Sequence, residues 1–182
     1  MKKVFIFLAD GFEEMEAIAP IDILRRAGID TVTVSISESK QVEGAHGIIL
    51  QADRLFSETD FSTNDLLLLP GGGVGTQNLG AHSELQNLLL SQHEAGKQIA
   101  AICAAPSVLG KLGILVGKEA ICYPGFEEKL TGATLSKNAV VKDGNVITGK
   151  GPGVAIPFAL KIVETLAGKE IAEQVADSLM LN

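Results

Sequence analysis

The chain predicts a doubly wound α/β sandwich with a mostly parallel central sheet and a small hairpin, carried in a single domain over residues 1–182. Three observations predict it. Short unbroken apolar runs, Leu66–Leu69 above all, are what strands buried on both faces of a parallel sheet require. Segments with apolar residues at helical spacing alternate with those runs, the order that builds βα units. The runs ending at Leu8, Leu69 and Ile102 each open into a loop, and sheets of this kind bind ligands beyond the carboxyl ends of their strands.

The elements follow in order. Lys3–Leu8 gives the first strand, and Ala9-Asp10-Gly11-Phe12 breaks it before a helix that begins near Glu13. Met15, Ile18, Ile21 and Leu24 recur about every three residues and predict that helix's buried face, while Glu13 and Glu14 complement the dipole at its start. Gly28 closes the helix, and Thr31–Ile36 alternates as a second parallel strand. Val42–Ala52 reads as an extended, hairpin-like excursion and Asp53–Asn64 as an irregular polar connection. Leu66–Leu69 is a central strand that opens into a flexible loop at Pro70-Gly71-Gly72-Gly73. Ser83–Glu94 is a helix with Leu85, Leu88 and Leu89 on one side. Ile99–Ile102 is an interior strand, and Ala104-Ala105-Pro106 supplies the first turn of the next helix. Ala120–Tyr123 is a short strand, and the segment 140–147 is a hairpin turning at Asp143 and Gly144. Gly151-Pro152-Gly153 marks a loop before closing helices over Pro157–Leu166 and Lys169–Leu179, with Phe158, Ile162, Val163 and Leu166 inward.

Composition narrows the function. With 46% hydrophobic residues in 182, there is material for one substantial core. Fifteen basic residues against 22 acidic ones give a net charge of −7, which disfavours a nucleic-acid surface or an anionic membrane as partner. Met1-Lys2-Lys3 ahead of VFIFLA looks superficially like a signal peptide, but Asp10 and Glu13 interrupt it early, so it is read as a strand. No apolar run approaches the roughly 20 residues that span a bilayer. Two cysteines without CxxC spacing predict free thiols in a reducing cytoplasm.

The chemistry centres on Cys103. It ends an apolar strand and precedes a helix, a strand-to-helix corner like the nucleophile elbow of hydrolases. A thiol at a helix N-terminus favours thiolate, so a reactive Cys103 is expected, with a depressed apparent pKa shared with a neighbouring carboxyl. Cys122 reads as a buried filler. His46, His82 and His93 all precede Cys103, so the cysteine-then-histidine order of glutamine amidotransferases cannot be built, and His82 and His93 read as solvated side chains. The available polariser is a carboxyl at the head of the first helix. Glu13, Glu14 and Glu16 are the candidates; Glu16 follows Met15 in the part read as buried, whereas the other two read as exposed charges. Gly71-Gly72-Gly73-Val74-Gly75 fits neither GxGxxG nor GK[ST], and residues 144–151 match a P-loop except at Gly151, which cannot ligate magnesium. Neither is read as a nucleotide site, and the glycine loop keeps only its exposed backbone N–H groups.

The segments GFEEME (11–16), PIDILRRAG (20–28), LPGGGVGTQNL (69–79), AAICAAP (100–106) and GPG (151–153) leading into FALKIVETLAGKE resemble the ThiJ/PfpI superfamily, in the branch of the parkinsonism-associated deglycase and YajL. The resemblance covers nearly the whole chain. It implies a flavodoxin-like sandwich and a homodimer, with Cys103 as nucleophile and Glu16 as the acid bonded to its sulfur. It also implies an oxyanion hole made by the backbone N–H groups of Gly72 and Ala104, with Gly73, Tyr123 and His46 around the pocket. Three departures qualify it. Ala104 stands where protease-like members carry a histidine, which disfavours peptidase activity. Tyr123 stands where a histidine is frequent in the deglycase branch. His46 replaces an arginine that reaches across the dimer, leaving Asp22 or Arg26 with a different partner.

The function expected on these grounds is a glutathione-independent glyoxalase or deglycase, acting through Cys103 on methylglyoxal-like α-oxoaldehydes or their early adducts, with no metal and no organic cofactor. The alternative is a non-enzymatic oxidative-stress sensor or chaperone that uses a Cys103 sulfinate. A thiazole-biosynthesis role travels with the superfamily name and ranks last, because no site for a phosphorylated thiazole is recognisable.

Overall fold

The computed structural model describes residues 2–181. Its strands are β1 (Lys3–Leu8), β2 (Asp30–Ser35), β3 (Gln41–Glu43), β4 (Ile49–Gln51), β5 (Arg54–Leu55), β6 (Leu66–Leu69), β7 (Gln98–Ile102), β8 (Glu119–Ala120), β9 (Thr134–Leu135), β10 (Val140–Asp143) and β11 (Val146–Gly149). Its helices are α1 (Glu14–Arg26), α2 (Gly73–Ala81), α3 (Ser83–Glu94), α4 (Pro106–Lys111), α5 (Ala155–Ala167) and α6 (Lys169–Ser178). Seven strands form the main sheet in the order β10-β11-β7-β6-β1-β2-β5. All its pairings are parallel except the β10–β11 hairpin.

Strand alternation explains why the apolar runs are unbroken. Ile6, Leu66, Leu68, Ala100, Ile102 and Ile147 point into one core with Phe158, Ile162 and Val163 of α5. Phe5, Phe7, Leu67, Leu69, Ile99 and Ala101 point the other way, into a second core with Leu85 and Leu89 of α3 and Leu109 of α4. Both faces are covered, so every position in the run must be apolar. No helix among the described residues is long and apolar enough to cross a membrane.

Several expectations are corrected. The glycine loop is short: Gly73 already begins α2. Its glycines lower helix propensity, but a Cβ on Gly75 would lie 2.7 Å from the Phe12 nitrogen, so close backbone packing demands glycine there. Asp53–Asn64 is not wholly irregular, because β5 adds to the sheet edge beside β2. The predicted strand at Ala120–Tyr123 is only Glu119–Ala120, and the hairpin turns one residue later than predicted, at Gly144-Asn145. On α1, Met15 and Ile18 are 59% and 41% exposed, whereas Ala17, Pro20, Ile23 and Leu24 are buried. The three-residue spacing holds at Leu24 and in part at Ile21, which packs against the core, and fails at Met15 and Ile18, because in the first turns the inward positions are taken by two carboxyls, Glu14 and Glu16.

Candidate active site

The ends of β1, β6 and β7 lie side by side in the sheet, and the loops leaving them meet at Cys103. Cys103 has φ +67, a left-handed conformation that costs a non-glycine residue about 1–3 kcal/mol. Two bonds hold it there. Its N–H donates to the Gly149 carbonyl at 2.9 Å, and its carbonyl accepts from the Tyr123 N–H at 2.8 Å. Pro106 then starts α4 without needing an N–H. The strained corner read from the sequence is present, with the thiol buried and free.

Glu16, in the first turn of α1, is fully buried. Glu13 caps the helix, its Oε2 accepting from the Glu16 N–H at 2.8 Å. The Gly71 N–H donates to Glu16 Oε2 at 2.9 Å, while Glu16 Oε1 is buried without a hydrogen-bond partner. Burial pushes the Glu16 carboxyl up to about 7, opposed by its interaction with the Cys103 thiol. Burial also pushes the thiol up to about 12, helped by the Glu16 charge and hydrogen bond. The depressed thiol pKa expected from the helix terminus is therefore corrected: desolvation and a carboxylate neighbour outweigh the dipole of a six-residue helix. The backbone N–H groups of Gly72 and Ala104 act in the opposite sense, favouring the sulfur's charged form. Between about 7 and about 12 the pair therefore carries one negative charge and one proton, and below about 7 both groups are protonated.

Other residues singled out in the sequence fall around this centre. Tyr123 is 46% exposed, and its ring lies beside Gly151, where a Cβ would come within 3.1 Å of Cδ2. Gly73 is exposed at the start of α2, on the wall of a cavity of about 580 Å³. His46 lies on the connection between β3 and β4, with Nδ1 2.7 Å from Glu14 Oε2, and its N–H donates to Glu14 Oε1 at 2.6 Å. Glu14 is thus a buried partner, not an exposed dipole charge. Asp22 and Arg26 pair with each other at 2.7 Å. His82 and His93 are half-buried, not solvated: His82 Nδ1 accepts from the Leu85 N–H at the head of α3, and His93 lies against Asn145.

The roles of Glu13, Gly71 and Glu14 escape sequence reasoning. The acidic run GFEEME signals a cap, but not which carboxyl turns inward. Among the described residues one trio, Glu13, Glu14 and His46, has ligand atoms within 4.8 Å of one another. Those atoms already serve the cap and the Glu14–His46 bond.

A cysteine on a strained corner above a parallel sheet, with a carboxyl at its sulfur, defines a cysteine-elbow protein of the α/β class. Residues 2–165 match the model of the DJ-1/PfpI family, and the chain belongs to that family. It is 42% identical to Protein DJ-1 homolog A of Arabidopsis thaliana over 99% of its own length, but spans only 47% of that relative. It is 37% identical to the glutathione-independent glyoxalase DJR-1.2 of Caenorhabditis elegans, over 93% of this chain and 90% of that one. The structure of oxidized Toxoplasma gondii DJ-1 superimposes with a TM-score of 0.95 at 36% identity, covering 99% of this chain and 98% of the other.

Proposed function

We propose that this protein is a cysteine-dependent, glutathione-independent glyoxalase or deglycase, working as one domain in a reducing cytoplasm on α-oxoaldehydes or their early adducts. The observation that carries this reading is the junction of Cys103, Glu16 and the two N–H donors. As Cys103 Sγ bonds to the aldehyde carbon, its S–H bond breaks and the proton passes to the Glu16 carboxylate. The carbonyl π pair moves onto oxygen, where the N–H groups of Gly72 and Ala104 receive it. Glu16 returns the proton to that oxygen, giving a neutral hemithioacetal. As a carboxylate again, it takes the proton from the former aldehyde carbon and delivers it to the adjacent carbon, while the hydroxyl proton moves from the first oxygen to the former ketone oxygen. The resulting thioester is hydrolysed by water, so aldehyde plus water becomes a 2-hydroxy acid with no external oxidant. The likeness to the C. elegans glyoxalase supports this reading. Mass spectrometry of protein quenched during turnover tests it: methylglyoxal mass on the Cys103 peptide is expected, and an adduct confined to other peptides overturns it.

A second reading, an oxidative-stress sensor or chaperone, is favoured by Glu16 Oε1. A protonated Glu16 would offer this unpartnered oxygen to a Cys103 sulfinate. Mild peroxide would then add two oxygens at Cys103 without aldehyde turnover.

The protein is proposed to act as a homodimer. Met15, Ile18, Ile48 and Ile156 are all exposed around an apolar groove of about 840 Å³. Such a patch is costly in water and suits a second copy of the same face.

A further inference from the structure

The cavity between α2 and α4 has a charge character opposite to that of the chain. The protein carries a net charge of −7, yet no carboxylate lines this cavity of about 580 Å³, and two lysines, Lys111 and Lys129, do. Neither lysine forms an ion pair among the described residues. Lys129 Nζ lies 4.5 Å from the centre of the Phe126 ring, and the adjacent Glu127 is turned to the Gly125 N–H at 2.7 Å. Two ammonium groups without an ion pair, on a wall without a carboxylate, are donors without an anionic acceptor.

The cavity is built on the same backbone as the reactive centre. Gly73 in its wall follows Gly72, whose N–H faces the Cys103 sulfur. Ser107, also in the wall, donates at 2.6 Å to the carbonyl of Ala104, whose N–H faces that sulfur too.

We propose that this cavity is an anion-binding subsite of the Cys103 centre, in which Lys111 and Lys129 receive the carboxylate or phosphate of an aldehyde adduct. The inference rests on the glyoxalase or deglycase reading for the identity of its substrate, and on the cavity alone for anion binding. It makes the preferred substrate an adduct carrying a negative group away from the reacting carbonyl, with free methylglyoxal the minimal case.

Two measurements test it separately. In the first, the backbone amide spectrum is followed during titration with inorganic phosphate. Saturable shifts are expected at Thr76, Ser107, Lys111 and Lys129, and they should vanish in Lys111→Gln/Lys129→Gln. They should persist in Lys137→Gln/Lys169→Gln, which makes the same charge change at exposed sites outside the cavity. Absence of saturable shifts, or equal shifts in the Lys111/Lys129 double variant, overturns the subsite whatever the turnover. In the second, methylglyoxal hemithioacetals of N-acetylcysteine and of the neutral N-acetylcysteamine are compared. A KM about fivefold lower for the anionic adduct is expected, converging with the neutral one in the Lys111/Lys129 double variant. Equal KM values in the unsubstituted protein overturn the substrate preference. Phosphate shifts without any turnover would refute the glyoxalase reading while upholding anion binding.

Discussion

Gly71 and Glu16 are joined across the sheet edge in a way that leaves no room for a side chain. The Gly71 N–H donates to Glu16 Oε2 at 2.9 Å, and a Cβ on residue 71 would stand 2.5 Å from that oxygen and 2.6 Å from the Cys103 Cβ. Gly71→Ala must therefore push the carboxyl and the thiol apart. Turnover is expected to fall by at least about tenfold, with a stability loss of about 1–3 kcal/mol. Paired kinetics and urea denaturation check this.

Glu16 also makes stability depend on pH. The folded protein holds its proton up to about pH 7, whereas an unperturbed carboxyl releases it near 4.5. Between those values the folded state binds more protons than the unfolded one, so the Glu16 contribution to stability falls as pH rises. The difference amounts to about 3 kcal/mol across that window. Denaturation curves at pH 4 and pH 8 should show a smaller loss in Glu16→Gln than in the unsubstituted protein; equal losses would contradict the buried, proton-holding carboxyl.

The two cysteines should differ in reactivity although burial raises both thiols. Each thiol faces a carboxylate, Glu16 or Glu127, but Cys103 is 7% exposed with two N–H groups at its sulfur, whereas Cys122 is 2% exposed with one, from Phe126. Iodoacetamide in the folded protein should alkylate Cys103 first, read by peptide mass. Equal rates would mean that access and the N–H pair do not govern reactivity.

The exposed stripe of α1 carries the homodimer prediction. Ile18→Glu places charge in the apolar groove without entering either core, because Ile18 is 41% exposed. Sedimentation should show dimer in the unsubstituted protein and monomer in the variant, with the fold retained. A monomer in both would leave the patch without its partner.

Much of this was legible in the sequence because the relevant physics is local. Leu66–Leu69 could only be a strand covered on both faces, and an apolar run ending at Cys103 before Ala-Ala-Pro could only turn a corner. The inward stripe of α1 is legible at Leu24 and Glu16 but not at Glu14, Met15 or Ile18: periodicity counts apolar residues, and here Glu14 and Glu16 occupy buried positions whose partners, His46 and Gly71, lie 32 and 55 residues away. The early start of α2 was hidden for a similar reason, since its glycines answer to the backbone of the loop after β1 and not to helix propensity. The thiol's environment is not legible in the sequence, because a helix terminus is visible there and desolvation is not.

The central claim is that Cys103 and Glu16 act as one unit on an aldehyde. Lactate formed from methylglyoxal in the absence of glutathione tests it most directly, with Cys103→Ala and Glu16→Gln alongside. Lactate is expected from the unsubstituted protein, none above background from Cys103→Ala, and a rate lower by about 10²–10⁴ in a folded Glu16→Gln. Undiminished lactate formation by either variant would contradict the account.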